Sequence, residues 1–446
     1  MLNIFKESPP ANFKISDKAE IEKQYRYWRM RILYATTIGY VIFYCVRANI
    51  SMAMPLIERD LGIRKAQLGL FLTLHGLLYG VSKFVNGILG DRANPRFFMA
   101  AGLLLSALMN FFFGMSSIAL LFGIFWLVNG WFQGMGFPPC SKSITNWFAP
   151  KERGMKYAIW NTSHSLGAAA VFILNSFLVG YNWRLCFFVP AIIAVLGAIF
   201  IIERLRDTPE SLGLPPVTEG LKEEIKEDDK ELEKNKIDAD NLDFKTFLFK
   251  HVFGNPAIWI MGFATFCIYT IRYAIFYWGP TFLYEMKGVN IKQAGWLTAG
   301  YEIAAVAGML SGGFLMDKIF KGKGARTCLF YMLMCSFSIF LFWKLPIRSI
   351  TFNALIMCAM GFFIYGPQCL TGVVVANLAT KRASATAIGL TGLFSYLSTV
   401  LSGWGLGALV DRSGWSVAFL FLLFVSIIAM VPFAVLWNIN PNPVKE

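Results

Sequence analysis

Long apolar runs recur along almost the whole of this sequence, and they constrain its fold more than any other feature. Apolar residues make up 56% of the chain and charged residues only 15%, whereas a soluble globular protein is about a quarter charged. A helix needs about 20 apolar residues to cross roughly 30 Å of hydrocarbon. Twelve runs approach or exceed that length, near residues 32–54, 68–90, 96–114, 118–140, 156–180, 185–202, 254–284, 292–316, 326–344, 350–378, 385–410 and 415–438.

The composition of these runs distinguishes between the two ways of crossing a membrane. They are continuous and rich in Gly, Phe and Leu, whereas a transmembrane β-barrel shows segments of about ten residues with alternating hydrophobicity. We therefore predict an all-α polytopic membrane protein with twelve transmembrane helices. The first thirty residues are too charged to form a cleaved signal peptide, so we expect them to be retained as a tail.

Basic residues are concentrated in that tail and in every second connection between the runs. The positive-inside rule places such segments in the cytoplasm, so both termini are predicted to be cytoplasmic. Most of the net charge of +14 then reflects topology, and because the basic residues are dispersed they do not predict nucleic-acid binding. The basic connections carry Arg92 and Arg96; Lys142, Lys151, Arg153 and Lys156; Lys318, Lys321, Lys323 and Arg326; and Lys381 and Arg382.

A polar, mixed-charge segment divides the runs six and six, and the two sides resemble each other. Arg47 and Arg272 are 225 residues apart, while Asp91 and Asp317 are 226 apart, as expected for parallel six-helix repeats. We expect much of the dividing segment to be surface helix or mobile chain. The predicted organisation is a cytoplasmic tail at 1–30, a six-helix bundle at 31–204, a cytoplasmic linker at 205–251, a second bundle at 252–439 and a cytoplasmic tail at 440–446.

Residues that bind metals or nucleotides do not form a recognisable pattern. The eight cysteines lie in or beside apolar runs without paired ligand spacing, and the three histidines are far apart in sequence. This pattern favours small buried cysteines over a metal site or a disulfide framework. With no Gly-Lys-Ser/Thr phosphate loop either, we predict no cofactor, no metal and no nucleotide-driven transport.

Two arginines lie inside apolar runs, and this is the strongest indication of function. Arg47 and Arg272 have no carboxylate in their own segments, yet a charge at the centre of a membrane helix costs roughly 2.5–3.5 kcal/mol on insertion scales. Arginine does not lose its proton in a protein. The sequence therefore predicts an anionic substrate that these two side chains bind, at the midplane between the repeats.

Tyrosines accompany these basic residues at helical spacing. Each arginine has a tyrosine three residues before it, Tyr44 and Tyr269, while Tyr79 and Lys83 are four residues apart. Such pairs share one helical face. Guanidinium, ammonium and phenol groups are all donors suited to phosphate oxygens, although each tyrosine alone is equally consistent with helix packing.

A second pair of matching motifs lies at the cytoplasmic ends of the runs. The segment GDRANPR contains Asp91 and Arg92, and its counterpart in the second half contains Asp317 and Lys318. Charged groups there can cap helix ends and hold neighbouring helices. A simple basic turn would explain one such loop, but not its recurrence at the matching place.

Taken together, the motifs resemble those of the organophosphate:phosphate antiporter family of the major facilitator superfamily. The resemblance covers nearly all of the chain after residue 25. It rests on YCVRANISMAMP, YGVSKFVNGILGDRANPRFF, GWFQGMGFPPC, KERG with WNTSHS, RDTPESLGLPP, IRYAIFYWGPTFL, GFFIYGPQ and GLTGLFSYL. It implies two six-helix bundles of the major facilitator fold, with Arg47 and Arg272 holding the phosphoryl group.

The resemblance also implies further substrate-binding residues by motif. These are Tyr44, Tyr79, Lys83, Asn161, His164, Tyr269, Tyr365 and Tyr396. An imidazole titrates near the second pKa of a phosphate ester, so His164 is of particular interest, whereas we interpret His75 as structural. Glu302 is the main acidic candidate within the runs and is expected to pair with a basic residue when no substrate is bound.

The predicted function is exchange of a sugar phosphate, glucose 6-phosphate first, for inorganic phosphate across a bacterial inner membrane, by a monomer in the lipid bilayer. Ala48 follows the first arginine where relatives often carry a second basic residue, which weakens the analogy to glycerol-3-phosphate transporters. Phe137 replaces a tryptophan seen in some relatives, and smaller or less basic walls would suit a bulkier sugar phosphate. Glycerol-3-phosphate exchange and a transporter-like receptor that signals to a membrane kinase remain alternatives. A membrane phosphatase would need a nucleophile or a metal cluster, and neither is evident in the sequence.

Overall fold

A computed structural model of the protein describes residues 3–217, 252–345, 349–378 and 384–438. Within these ranges the chain is helical and forms no β-strand, apart from one isolated bridge between Lys6 and Ala93. The helices are α1 Lys18–Cys45, α2 Ile50–Leu61, α3 Lys65–Asp91, α4 Pro95–Met115, α5 Ala119–Gln133, α6 Phe137–Trp147, α7 Pro150–Asn161, α8 Ser163–Leu178, α9 Leu185–Arg204, α10 Pro256–Met286, α11 Ile291–Phe314, α12 Gly324–Lys344, α13 Ile350–Leu378, α14 Ser384–Leu397, α15 Leu406–Ile428 and α16 Met430–Val435.

Ten helical segments of the described ranges are long and apolar enough to cross a membrane. The longest, Thr386–Val435, has 50 residues and contains two of the twelve predicted runs, with a break at Gly414, where φ is 75°. The run predicted at 156–180 is shared by α7 and α8, which meet at Thr162 and are each too short to be counted alone. The all-α polytopic fold is confirmed. The count in the described ranges is ten segments rather than twelve because two predicted runs lie in one long helical segment and another is divided between two short helices.

The helices form two halves, and the ends of the helices lie at two opposite faces of the molecule. Helices α1–α9 make up the first half and α10–α16 the second. We call the face that carries the N-terminal tail and the α3–α4 turn the tail face. The face that carries the α2–α3 and α10–α11 turns is the opposite face.

Contacts between the halves lie from the centre of the molecule to the opposite face. Helix α3 packs on α15 and on the π-helical turn Val400–Gly405, α8 packs on α11, and α2 packs on α10. The backbones of α3 and the turn approach so closely that a methyl group at Gly69 would collide with Gly403. Across the described ranges, the hydrogen bonds between the halves reach no nearer to the tail face than Lys83. The structure is therefore closed at the opposite face.

The N-terminal tail packs along the first residues of the predicted linker. Backbone amides of Ala11 and Ile15 donate to the carbonyls of Glu210 and Gly213, both at 2.9 Å. The Ser8 amide donates to the buried Asp207 carboxylate at 2.8 Å. Burial raises the pKa of this carboxyl group above its ordinary value. The first part of the linker is thus fixed to the first half, while residues 218–251 and 440–446 lie outside the described residues.

Candidate substrate-binding site

Arg47 lies at a break in the first membrane-crossing segment, between the end of α1 at Cys45 and the start of α2 at Ile50. Such a break frees backbone groups, which need partners within a membrane. The Val46 carbonyl accepts hydrogen bonds from the side-chain amides of Asn110 at 2.9 Å and Asn129 at 3.0 Å. Both asparagines are fully buried. They stabilise the irregular backbone that holds Arg47 in place.

A third asparagine completes this support. The Asn49 side chain donates to Asn110 Oδ1 at 2.8 Å and to the Cys186 carbonyl at 2.9 Å. Asn175 donates to the Asn49 carbonyl at 3.3 Å. The break is therefore bonded to four other helices of the first half: α4, α5, α8 and α9. We did not identify these asparagines from the sequence, although amide side chains inside apolar runs were a usable signal.

Arg47 is 5% exposed, and tyrosine rings pack against its guanidinium group. Its Cζ atom lies 4.0 Å from the ring centroid of Tyr79 and 5.2 Å from that of Tyr44. It also interacts electrostatically with Tyr273 and Tyr277 of the second half. Cation–π contacts of this kind stabilise a desolvated cation without neutralising it.

Arg272 occupies the equivalent place in the second half, at the middle of α10. It is 4% exposed, and its Cζ atom lies 4.7 Å from the ring centroid of Tyr365, 5.2 Å from that of Tyr273 and 5.5 Å from that of Tyr269. It interacts electrostatically with Tyr44 of the first half as well. Each arginine thus faces tyrosines of both halves.

Tyr44 and Tyr273 are common to the surroundings of both guanidinium groups. Tyr273 stacks on Tyr277 with ring centroids 5.7 Å apart. In the described part of the chain, no carboxylate forms an ion pair with Arg47 or Arg272. Two buried positive charges therefore face one shared tyrosine cluster without a paired anion. Tyr273 and Tyr277 were absent from the residues predicted by sequence.

Lys83 lies on the tail-face side of this cluster and is partly exposed. Its Nζ atom donates to the Tyr396 hydroxyl at 3.2 Å and lies 4.0 Å from the Phe137 ring centroid. Tyr396 also packs edge-on against Tyr79, with centroids 5.3 Å apart. Lys83 thus extends the positive region from the arginines toward the tail face.

His164 is buried between the halves. Its ring stacks on Tyr365 of the second half with centroids 5.9 Å apart, and it lies 5.9 Å from Tyr44. The Nδ1 atom contacts the Asn161 carbonyl, which can only accept a hydrogen bond, so Nδ1 carries a proton. Nε2 is buried and unbonded within the described residues. This nitrogen can accept a proton from a phosphate hydroxyl or, when the ring is charged, donate to a phosphate oxygen.

Glu302 is fully buried on α11, and its nearest partner is a phenol. Tyr365 donates to Glu302 Oε1 at 2.6 Å, and the carboxylate interacts electrostatically with Arg272 without forming an ion pair. Because the Tyr365 ring also packs on Arg272, this phenol links the acidic and basic groups of the second half.

The remaining predicted binding residues lie at the edge of the cluster. Tyr269 and Tyr396 are partly exposed. Asn161 is exposed at the end of α7, and only its backbone carbonyl is bonded to the site, through His164. His75, interpreted as structural, is buried and stacked on Trp126, with Nδ1 3.0 Å from the Trp126 carbonyl.

The matching charged motifs lie at the tail face, away from the arginines. Asp91 and Arg92 are exposed at the end of α3, and Lys142 of α6 donates to the Asp91 backbone carbonyl at 3.0 Å. Asp317 and Lys318 are exposed in a π-helical turn, Leu315–Ile319. The contact that fastens the first motif therefore uses the backbone of Asp91 and the side chain of Lys142.

Comparison with known proteins places this arrangement in a family. The chain matches the Major Facilitator Superfamily over residues 36–403. It is 39% identical to a probable hexose phosphate transport protein of Chlamydia muridarum, over 98% of this chain and 97% of that protein. It is 36% identical to the glycerol-3-phosphate transporter of Bacillus subtilis, over 98% of each chain.

Two further comparisons complete this assignment. The chain is 35% identical to the membrane sensor protein UhpC of Escherichia coli, over 96% of this chain and 97% of that protein. Among solved structures, it resembles a bacterial homologue of the human lysosomal transporter Spinster with a TM-score of 0.74 at 15% identity, covering 94% of this chain and 99% of that one, which supports the fold alone. The chain belongs to the organophosphate:phosphate antiporter family of the major facilitator superfamily.

Proposed function

We propose that this protein exchanges a hexose phosphate, glucose 6-phosphate in the first instance, for inorganic phosphate by alternating access. The observation that carries the proposal is the pair of buried guanidinium groups, Arg47 and Arg272, which come from different halves and have no paired carboxylate in the described chain. The names of the relatives, which include hexose phosphate and glycerol-3-phosphate transporters, support an organophosphate as the anion.

The charges of the site explain why exchange, rather than one-way transport, is expected. An empty site holds two cations that repel each other when the halves approach around it. A phosphoryl group accepts bidentate hydrogen bonds from guanidinium groups and neutralises them. Because inorganic phosphate and a phosphate ester both supply this group, either one permits the halves to rock about the site.

The sugar would occupy the side of the site nearest the tail face. Lys83 and Tyr396 line that side and are partly exposed, and Asn161 lies at its rim. Donors and acceptors of these types suit ring hydroxyl groups. Ala48 is a small buried neighbour of Arg47, which leaves the phosphate-binding charge to the two arginines and Lys83.

The remaining parts of the proposal concern orientation and assembly. The two six-helix bundles, 31–204 and 252–439, act as the moving units in a bacterial inner membrane, and the protein acts as a monomer. The tail face lies in the cytoplasm, in agreement with its basic connections. The predicted tails at 1–30 and 440–446 and the linker at 205–251 are cytoplasmic in the same proposal. Asp91, Arg92, Asp317 and Lys318 act at that face as gating groups, and Glu302 pairs transiently with the arginines of the empty site.

The test is a competition experiment in proteoliposomes loaded with inorganic phosphate. Uptake of labelled phosphate should be suppressed by glucose 6-phosphate more strongly than by an equal concentration of glycerol 3-phosphate, and free glucose should have no effect. A site that hydrogen-bonds hydroxyl groups discriminates against ligands that lack them, because buried polar groups are then left unpaired. Protein-free liposomes provide the background.

Each alternative gives a different result in the same assay. Stronger suppression by glycerol 3-phosphate would overturn the sugar assignment and retain the antiporter. Suppression by free glucose would contradict both. Binding of glucose 6-phosphate without any exchange would favour the receptor, the role named for the sensor relative.

A further inference from the structure

The opposite face is held closed by charged groups that belong to both halves and lie outside the substrate site. Lys65, at the start of α3, forms an ion pair with Glu58 of its own half at 2.7 Å and with Glu285 of the second half at 3.1 Å. The Lys65 side chain is only 11% exposed, and the two carboxylate side chains are 28–29% exposed. One ammonium group thus bridges carboxylates of both halves in a partly desolvated place.

A second bond between the halves lies beside the first. The Asp411 carboxylate of the second half accepts a hydrogen bond from the Ala66 backbone amide at 2.8 Å. It therefore caps the N-terminus of α3, where unpaired amides and the helix dipole favour a negative charge. An N-terminal cap normally comes from the same helix, whereas here it comes from the other half of the protein.

Glu285 is held in position from its own half. The Trp415 indole donates to Glu285 Oε2 at 2.8 Å, while Glu285 Oε1 faces Lys65. The bond from Trp415 thus orients the carboxylate toward Lys65 of the first half. Below this layer, Thr73 donates to the Thr399 carbonyl at 2.7 Å and accepts from the Trp404 amide at 2.9 Å, so the charged layer is the outermost part of a continuous closure.

We propose that Lys65, Glu58, Glu285 and Asp411 form an ionic latch that holds the opposite face closed and must break for the substrate site to open there. The proposal rests on the alternating-access function proposed above. When the halves separate, Lys65 keeps Glu58 as a partner within the first half. Glu285 loses its ammonium partner and Asp411 loses its amide partner. The latch therefore favours the closed face by a modest, adjustable amount, and Glu58 limits the cost of breaking it.

The latch predicts an order among variants. Lys65→Gln and Glu285→Gln each remove the ion pair between the halves, and Asp411→Ala removes the acceptor of the Ala66 amide. Each should increase the ratio of open to closed opposite face about three- to tenfold, the scale of one partly screened ion pair. Glu58→Gln should not increase this ratio, because it removes the partner that Lys65 keeps when the halves separate. Lys344→Gln is the matched control, since Lys344 is exposed at the end of α12 on the same face and packs on Trp343 of its own half.

The measurement is the distance between spin labels on the two halves, at Tyr181→Cys and Arg412→Cys, both exposed at the opposite face, in protein with Cys369→Ser. Lys65→Gln should transfer population from the short to the long distance, and the combined exchange Lys65→Glu with Glu285→Lys should restore it. The measurement needs no substrate, so its outcome does not depend on the transport assignment. Equal distributions for the parent, Lys65→Gln and Lys344→Gln would overturn the latch. So would a charge exchange that, in monodisperse protein, leaves the Lys65→Gln distribution unrestored.

Discussion

Replacing either buried arginine with lysine tests whether phosphate binding depends on the planar shape of the guanidinium group or only on its positive charge. The Cζ atom of Arg47 lies 4.0 Å from the nearest tyrosine ring centroid, and that of Arg272 lies 4.7 Å from its nearest. Arg47→Lys and Arg272→Lys retain one positive charge that can contact these rings. They remove the planar fork that contacts two phosphate oxygens together. Any loss of phosphate binding then reports the geometry of the donors rather than the net charge.

The size of the effect follows from burial. Both arginine residues are at most 5% exposed, so solvent screens their bonds to a substrate little. One hydrogen bond to a charged group contributes about 1.5–3 kcal/mol, which corresponds to a roughly 10- to 150-fold loss of affinity for inorganic phosphate. Because the site serves both halves, we expect losses of similar size for the two variants.

The assay is calorimetric phosphate binding to purified protein, followed by phosphate exchange in proteoliposomes. Arg26→Lys, at an exposed position on α1, is the matched control and should bind as the parent does. Monodisperse protein with an unchanged melting temperature would show that folding is intact. Near-parental affinity and exchange in both lysine variants would refute the two-arginine site.

Three further predictions concern groups around the site and the tail. His164→Ala should weaken organophosphate affinity and flatten its dependence on pH, and His164→Gln should do so less; parental affinity and pH profile in the alanine variant would return this residue to packing. Asn110→Leu and Asn129→Leu should each lower the melting temperature modestly, but together they leave the Val46 carbonyl unpaired and should cost about 1–3 kcal/mol more; purely additive thermal shifts would contradict their shared role. Asp207 has a pKa raised by burial, so its contribution to the stability of the fold falls as pH rises through that pKa. Asp207→Asn should therefore melt at or above the parent temperature at pH 7, whereas Asp207→Ala should lose about 0.5–1.5 kcal/mol of stability. Equal losses in both variants would show that the charge itself is needed.

The fold was largely predictable because membrane helices are specified by apolar length. The breaks within the helices were not. The interruption at Arg47 has no adjacent proline or glycine, and its free carbonyl is bonded by Asn110 and Asn129, more than sixty residues away in sequence. A local pattern cannot indicate such a break, because the groups that satisfy it come from other helices.

The site was predictable where spacing along one helix determines it. Tyr44 and Tyr269 pack on the arginines three residues after them. Tyr277 was not predicted, because it faces Arg47 from the other half, and only the packing of the halves brings it there. The functional roles of Asp91 and Asp317 stay predictions, since both are exposed and the bonded group at the first motif is the Asp91 carbonyl.

The central claim is that the protein changes readily between its inward- and outward-facing states only when the two-arginine site holds an anion. Efflux of labelled phosphate from loaded proteoliposomes, measured with and without external glucose 6-phosphate, tests this most directly. The account predicts almost no efflux into anion-free buffer and rapid efflux when glucose 6-phosphate is added. Equal efflux in both conditions would show that the empty site returns freely, and it would contradict the account.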